Sequence, residues 1–325
     1  MKRKAFVLFS GGLDSLVTVK VLQEQGIEVI AIHFKSIMYV SPRKKKGHSI
    51  EEWAERLGVK LICLPKSMTF FDMIEHPKHG YGSAINPCMD CRIYYLQTVR
   101  HMMEEYGVSF VATGEVLGQR PKSQRRDCLR IIERESGIEG LVLRPLCAQS
   151  MAETIPEKEG WVDRSKLLGI TGRGRTEQIT IIESYGMHDF PNPAGGCQLA
   201  EQCYVPKVKD MFAHGYDELD IRLLSCGRHF RIDGTKVIVS KDEYEGAFML
   251  EKASEGLIVE PDDFAGPIGF IRGDVTDAAL SLAASAMLFH SKSKGVEGET
   301  VITAYGKKTS ALIMSEESLL PYRIV

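Results

Sequence analysis

The strongest constraint on the fold is an alternation of short apolar runs with helical patterns between residues 5 and 112. Hydrophobic residues follow one another in the apolar runs and recur every three or four positions in the helical stretches. The predicted strands are Ala5–Phe9, Val29–Phe34, Lys60–Leu64 and Ser109–Ala112, and the predicted helices are Asp14–Gln25, Ile50–Leu57 and Arg92–Tyr106. Repetition of strand, helix and strand predicts an α/β domain with a parallel sheet and right-handed crossovers.

A second pattern begins after about Pro206. Residues 230–239 alternate apolar and polar side chains on either side of Asp233-Gly234, which indicates a β-hairpin. Helical patterns follow at Ala247–Ser254 and Ala278–His290. We therefore expect a first domain over residues 1–206 and a second, smaller α+β domain over residues 207–325.

Composition limits the partners and the location of the chain. Its 325 residues include 41 basic and 43 acidic ones, a formal charge of −2, so no overall positive field attracts it to nucleic acid or membrane. The apolar run Ala5–Phe9 is too short for an export signal, and Ala278–Phe289 is too short to span a bilayer. We expect a soluble, cytoplasmic protein with no membrane partner.

A Gly-rich loop, Ser10-Gly11-Gly12-Leu13-Asp14-Ser15, joins the first predicted strand to the first helix. Paired glycines let the backbone approach a ligand closely, and the start of a helix directs N–H groups at an anion. The hydroxyls of Ser10 and Ser15 add donors. Asp14 is a candidate Mg²⁺ ligand, or simply a first-turn carboxylate that favours the helix dipole. The loop therefore predicts a phosphate site, although it lacks the G-K-[ST] of a Walker loop.

Polar residues follow two further strands. His33 ends the second strand, and Thr113-Gly114 follows Ser109–Ala112. Ligands of parallel sheets bind at the carboxyl ends of the strands, so Ser10, His33 and Thr113 should line one crevice. A structural histidine and a simple turn glycine remain alternatives at these positions.

The eight cysteines are too few for a disulfide framework in a chain of this length, so their spacing matters. Cys88 and Cys91 form a C-x-x-C at a predicted helix start, with Asn86 as a candidate cap and Pro87 suited to the first turn. Such a position lowers the pKa of a thiol. Cys197 lies in a distant Gly-rich loop. We expect Cys63, Cys128 and Cys147, which sit beside apolar residues, to be structural.

Three thiolates from Cys88, Cys91 and Cys197 fit more than one chemistry. They are the right number to hold a 4Fe-4S cluster with one open iron. They equally suit a persulfide carrier with a resolving cysteine, or zinc with Cys203 or a histidine as the fourth ligand. Unrelated buried thiols are the remaining alternative.

The Gly-rich loop resembles the S-G-G-x-D-S signature of the PP-loop ATP-pyrophosphatases, a family with the adenine nucleotide alpha hydrolase-like fold. Together with residues 86–91, Thr113-Gly114 and Cys197, it resembles the tRNA 2-thiouridylase and 4-thiouridine synthetase group over roughly residues 4–204. The resemblance implies that ATP, with Mg²⁺, adenylates a uridine carbonyl oxygen, that sulfur then displaces AMP, and that AMP and pyrophosphate are released. It further implies that His33 lies where related enzymes hold adenine, and that the three cysteines handle sulfur.

Partners follow from the same resemblance: a tRNA, and a sulfur donor protein or sulfide. Residues 227–241 are similar to the NFACT-R type of RNA-binding domain. Basic groups beside the predicted site are candidates for RNA phosphates, with salt-dependent affinity, or are merely solvated. These groups are Arg43, Lys44, Lys45 and Lys46; Arg120, Lys122, Arg125, Arg126 and Arg130; and Arg164, Lys166, Arg173 and Arg175.

Two other functions remain open from the sequence. One is a PP-loop sulfur transferase or amide ligase that acts on a small molecule; an ammonia-using ligase needs no paired cysteines. The other is a non-catalytic nucleotide- or RNA-binding protein, which converts no ATP to AMP and pyrophosphate.

Overall fold

The computed structural model describes residues 3–40, 47–190, 197–292, 300–303 and 305–324. The chain divides into two compact units, Met1–Ser36 with Lys46–Ala200, and Ile37–Lys45 with Glu201–Val325. The expected boundary at 206/207 falls inside the helix Val205–Ala213.

The first unit is a five-stranded parallel sheet with helices. Its strands are β1 Lys4–Leu8, β2 Glu28–Lys35, β3 Lys60–Pro65, β4 Phe110–Thr113 and β5 Val142–Leu143. Its helices are α1 Leu13–Glu24, α2 Ile50–Leu57, α3 Met68–Glu75, α4 Cys88–Met102, α5 Arg126–Ser136, α6 Ile155–Lys158 and α7 Thr176–Ser184. The strand order is β3-β2-β1-β4-β5, so the chain changes direction across the sheet between β1 and β4.

Helices cover both faces of this sheet. Ala5 and Val7 of β1 pack in one layer with α1, α2 and α7, whereas Phe6 and Leu8 pack in the other with α4 and α5. Alternate residues of a strand point to opposite faces, and here both faces are buried. This explains why the strands are continuous apolar runs in the sequence.

The second unit contains a six-stranded antiparallel sheet in the order β11-β10-β8-β9-β7-β6. Its strands are β6 Arg228–Ile232, β7 Thr235–Val239, β8 Leu257–Pro261, β9 Gly269–Arg272, β10 Thr300–Thr303 and β11 Lys308–Ser310. Its helices are α8 Val205–Ala213, α9 Glu218–Leu223, α10 Glu243–Glu251, α11 Asp277–Phe289 and α12 Glu316–Leu319. The α/β class with a second sheet domain is confirmed.

The predicted hairpin is present as β6 and β7. Asp233 has φ 47° and Gly234 has φ 83°, the left-handed pair that a tight two-residue turn between antiparallel strands requires. Asp tolerates this region better than most side chains and Gly enters it freely. The Asp-Gly pair therefore sets the register of the two strands.

Candidate nucleotide and sulfur site

The chain changes direction across the sheet between β1 and β4, and the carboxyl ends of the strands at such a point are the usual place for a ligand on an open parallel sheet. The Gly-rich loop follows β1, and Thr113-Gly114 follows β4. The two segments therefore meet, as their positions after neighbouring strands predict.

The loop is held by its own hydroxyl groups. Ser15 Oγ donates to the carbonyl of Gly12 at 2.7 Å, and the amide of Gly12 donates to Ser10 Oγ at 3.3 Å. Gly12 is the N-cap of α1, so the N–H groups of Leu13 and Asp14 belong to the first turn and have no helical acceptor. These groups are free to bind an anion.

Two glycines in this region have no room for a side chain. Gly11 has φ +71°, and a Cβ there would lie 2.7 Å from Ile50 Cδ1 of α2. A Cβ on Gly114 would lie 2.8 Å from both the backbone carbon and the oxygen of Asp14, and backbone atoms cannot swing aside. Gly114 is therefore needed for the close approach of β4 to the loop.

The carboxyl group of Asp14 is half-buried at the start of α1. Burial raises its pKa, whereas Arg175, Gln119, Arg120 and Gln178 act in the opposite direction by favouring the ionised form. Four donors or cations thus surround one carboxylate from outside the loop. None of them is identified as a site residue by the loop motif.

His33 is anchored to the first strand. Its Nδ1 donates to the carbonyl of Phe9 at 3.0 Å, and the amide of Phe9 donates to Ile32 O at 2.8 Å. Burial lowers the pKa of His33, which favours the neutral ring at pH 7. His33 therefore lies beside the start of the loop, as predicted, and its ring has a structural hydrogen bond.

A buried charge network lies directly behind Thr113-Gly114. Glu115 accepts from Thr113 Oγ1 at 3.1 Å and from Arg144 Nε at 3.2 Å, and Arg92 Nε lies 3.4 Å from its other oxygen. Arg144 also pairs with Glu133. Sequence reasoning misses this network because isolated charged residues form no motif; the one local signal is that Glu115 follows Gly114 directly.

The C-x-x-C begins α4, with Cys88 as its first residue. Pro87 occupies the N-cap position and Asn86 makes no cap bond, so the expected capping role of Asn86 is wrong. Instead Asn86 Nδ2 donates to Cys88 Sγ at 3.0 Å. The Asn86 amide therefore holds the first thiol of the pair.

Cys91 lies one turn further along α4. Burial raises its pKa, against the expectation of a lowered value, while the cations of Arg92 and Lys66 and a hydrogen bond with Tyr95 act in the opposite direction. Cys197 lies close enough for its charge to raise the pKa of Cys91 further. The structure thus brings Cys197 near the C-x-x-C, which the sequence alone predicts only by analogy.

The other cysteines are of two kinds. Cys128, Cys147 and Cys226 are buried, whereas Cys63 is exposed, so the structural role expected for Cys63 is wrong. Its strand, β3, is at the edge of the sheet, where only one neighbouring strand covers it. Within the described ranges, no group of three or more His, Cys, Asp or Glu side chains is arranged to hold a metal ion.

The basic groups have mixed surroundings. Arg164 is paired with Glu157 and donates to Met151 O, Lys122 donates to Tyr81 O, and Arg125 is paired with Asp127. Arg120, Arg130 and Arg173 are exposed, and Arg43–Lys46 lie outside the described residues.

No helix in the described part of the chain has the length and apolarity needed to cross a membrane.

The fold, the loop and its approach to Gly114 are the features that the resemblance to the PP-loop ATP-pyrophosphatases predicts. Residues 1–157 match the family described as Thiamine biosynthesis protein (ThiI), and residues 227–318 match the NFACT protein RNA binding domain. The N-terminal region is thus similar to the PP-loop tRNA thiolation proteins, which confirms the resemblance seen in the loop and the cysteines.

Individual relatives agree with this grouping. A tRNA-specific 2-thiouridylase MnmA of Nitratiruptor sp. is 31% identical over 35% of this chain and 35% of its own length. A tRNA sulfurtransferase of Desulfurococcus amylolyticus is 26% identical over 47% of this chain and 31% of its own length. The chain thus spans about a third of the length of these curated relatives.

Among solved structures, a 4-thiouridine synthetase–RNA complex with bound ATP is similar to this chain at 19% sequence identity. The match includes 68% of this chain and 52% of the chain in that structure. The TM-score is 0.32, which is too low to support an argument about fold or ligand.

Proposed function

We propose that this protein is an ATP-dependent RNA-thiolating enzyme of the cytoplasm, with a tRNA as its substrate. One observation carries the proposal: two features occur in the same unit. The first is the Gly-rich loop, against which Gly114 packs closely, and the second is the C-x-x-C at the start of α4. A ligase that uses ammonia has no need of the second feature. The family of the N-terminal region supports both parts.

The loop residues Ser10–Ser15, with Thr113 and Gly114, are proposed to bind ATP, and His33 to lie beside its adenine. The uridine carbonyl oxygen attacks the α-phosphorus, and the bond to the bridging oxygen breaks with release of pyrophosphate. Free N–H groups at the start of α1 stabilise the negative charge that develops on that leaving group. Asp14 is proposed to hold Mg²⁺, which neutralises phosphate charge when bound.

Cys88, Cys91 and Cys197 are proposed to deliver sulfur to the adenylated carbon, from which AMP then departs. At a cluster or zinc site the sulfur comes from sulfide, whereas the persulfide route takes it from the persulfide of a donor protein, and the resolving cysteine is left in a disulfide that a dithiol reductant must reopen. A 4Fe-4S cluster on these thiolates, zinc and a metal-free persulfide pair stay alternative predictions. The second unit, which matches an RNA-binding domain over residues 227–318, is proposed to bind the RNA.

The proposal is tested by incubating the protein with ATP, a sulfide source and bulk tRNA under anaerobic conditions. We expect tRNA-dependent release of AMP and pyrophosphate, and a thiolated uridine in the digested RNA by mass spectrometry. Cys88→Ala and Cys91→Ala should abolish the thionucleoside, whereas Cys63→Ala, a change at an exposed cysteine of β3, should not. Full product formation by the first two variants would contradict a role for the pair in sulfur delivery.

The nature of the sulfur site is decided by the visible spectrum and by iron and sulfide analysis of anaerobically purified protein. A band at roughly 400 nm that is lost in Cys88→Ala supports a cluster on these thiolates. A colourless, iron-free protein that still thiolates RNA contradicts the cluster and favours the persulfide pair or zinc.

A further inference from the structure

Helix α7 reaches the phosphate loop from a part of the chain that the matched ThiI region, residues 1–157, does not include. Its Ile182 is fully buried in the same core layer as Leu16 and Val17 of α1, and the two helices pack against each other. The contact between Gln178 and Asp14 places the first turn of α7 beside the first turn of α1. Residues at the start of α7 are therefore held next to Asp14.

Two side chains from this turn face the Asp14 carboxylate. Gln178 is fully buried, and its Nε2 lies 3.4 Å from Asp14 Oδ1. Arg175, the N-cap residue of α7, supplies the strongest favourable charge that acts on the carboxylate. Gln119, from the segment after β4, lies near enough to lower the pKa of the Asp14 carboxyl.

Polar atoms in this group are left without partners. Arg175 Nε, Gln119 Nε2 and Gln178 Oε1 are all buried, and none of them has a hydrogen-bond partner among the described residues. An unpaired buried polar atom costs about 1–3 kcal/mol, so three around one carboxylate indicate a ligand that supplies the missing partners. Two of the three atoms are N–H donors, which phosphate oxygens satisfy.

We propose that Arg175 and Gln178 of α7, with Gln119, complete the site for the departing pyrophosphate, with Arg175 in direct contact with its oxygens. This assignment rests on the proposed function, and it replaces the role in RNA binding that the sequence suggests for Arg175. When the bond between the α-phosphorus and the bridging oxygen breaks, the electron pair stays on pyrophosphate, and the Arg175 guanidinium stabilises that charge. Gln178 positions the Asp14 carboxylate beside it, and Gln119 Nε2 donates to the pyrophosphate oxygens.

The test compares Arg175→Gln with Arg173→Gln, because Arg173 is exposed two residues earlier in the same segment. Calorimetry with magnesium pyrophosphate measures binding without turnover, and AMP release with bulk tRNA measures the reaction. Arg175→Gln should weaken pyrophosphate binding by about tenfold or more and lower kcat by roughly 10²-fold, the scale for loss of one group that stabilises developing charge. Arg175→Gln should keep the tRNA affinity of wild type.

Equal pyrophosphate affinity and equal kcat in Arg175→Gln and Arg173→Gln would overturn the assignment. If Arg175→Gln does not fold, Arg175→Lys keeps the charge but loses the planar donor group, and it should show an intermediate pyrophosphate affinity; wild-type affinity would again overturn the assignment. A wild-type protein that binds pyrophosphate but releases no AMP contradicts the proposed thiolation and leaves the pyrophosphate site standing.

Discussion

Replacement of Gly114 tests how far nucleotide binding depends on the close approach of β4 to the loop. The absent side chain of Gly114 leaves room for the backbone of Asp14, since a Cβ would lie 2.8 Å from two of that residue's backbone atoms. Gly114→Ala must therefore push β4 and the loop apart. Overpacking of this kind costs about 1–3 kcal/mol, and we expect the loss of stability to come with at least a roughly tenfold loss of ATP affinity.

Gly174 provides the matched control, because no atom lies within 4 Å of a Cβ built there and its φ is not in the left-handed region. Gly174→Ala should leave ATP binding unchanged. Binding is measured by calorimetry with ATP, and stability by urea unfolding followed through the fluorescence of Trp53 and Trp161. Unaltered ATP affinity in Gly114→Ala would show that the close approach of β4 is not needed for nucleotide binding.

Single residues show where sequence reasoning succeeds at this site. The positions of Ser10, Gly11 and Thr113 in the fold were predictable, because a Gly-rich turn and the carboxyl end of a strand have fixed positions in a parallel sheet. Arg175 was not, because its role depends on the packing of α7 against α1, which brings together residues more than 150 positions apart. The burial of side chains was not predictable from the sequence either. Cys63 is exposed although it was expected to be structural, and burial raises the pKa of Cys91 although a lowered pKa was expected.

At the scale of elements, α2 supports the loop through its first turn. Ser49 and Glu52 form a capping box, in which each side chain accepts from the backbone of the other residue. Ile50, the next residue, is the side chain that closes over Gly11. The cap therefore fixes the end of α2 that touches the loop.

Ser49→Ala should destabilise the first unit by about 1 kcal/mol, since it leaves a first-turn N–H without its acceptor. Ser67→Ala is the control, because Ser67 is the N-cap residue of α3 but its exposed hydroxyl bonds to Thr69 and Tyr94 rather than to the backbone of the first turn. Urea unfolding followed by tryptophan fluorescence is the measurement, as both tryptophans, Trp53 and Trp161, lie in the first unit. Equal midpoints for the two variants would mean that the capping box contributes nothing.

Element types were more predictable than element ends. Every strand and helix expected before residue 113 is present, because buried parallel strands and amphipathic helices have different apolar periods. The apolar period predicts helix α4 over Arg92–Tyr106, whereas the helix is Cys88–Met102. Its first turn contains the cysteines and Asp90, which carry no apolar period, so the start at Cys88 was indicated only by Asn86-Pro87 ahead of the C-x-x-C.

For the whole molecule, the sequence indicates two structural units but not how buried charges tune their stability. Lys207 lies in α8 of the second unit, where its ammonium donates to the carbonyls of Leu224 and Gly227, both at 3.2 Å. Burial lowers the pKa of Lys207 to about 8, and the neighbouring cation of Lys241 adds to this effect. The charged form is thus less favoured in the folded protein than in the unfolded chain.

The sign of the resulting pH dependence follows directly. Between pH 8 and the ordinary lysine range near 10.5, the unfolded chain binds the proton and the folded protein releases it, so the free energy of unfolding rises with pH. Below pH 8 both states are protonated and the cost of burying the charge is constant. Lys207→Met should remove this rise, so wild type should gain about 2 kcal/mol relative to the variant between pH 7.5 and 10.5.

Lys209→Met is the matched control, since Lys209 is exposed two residues along the same helix. Tryptophan fluorescence does not follow the second unit, so unfolding is measured by pulsed thiol labelling of buried Cys226 in urea, with detection by mass spectrometry. The Lys209→Met variant should track wild type across the pH range while Lys207→Met diverges from it. Parallel curves for all three proteins would mean that the Lys207 ammonium is solvated, and that its two carbonyl contacts do not confine it in solution.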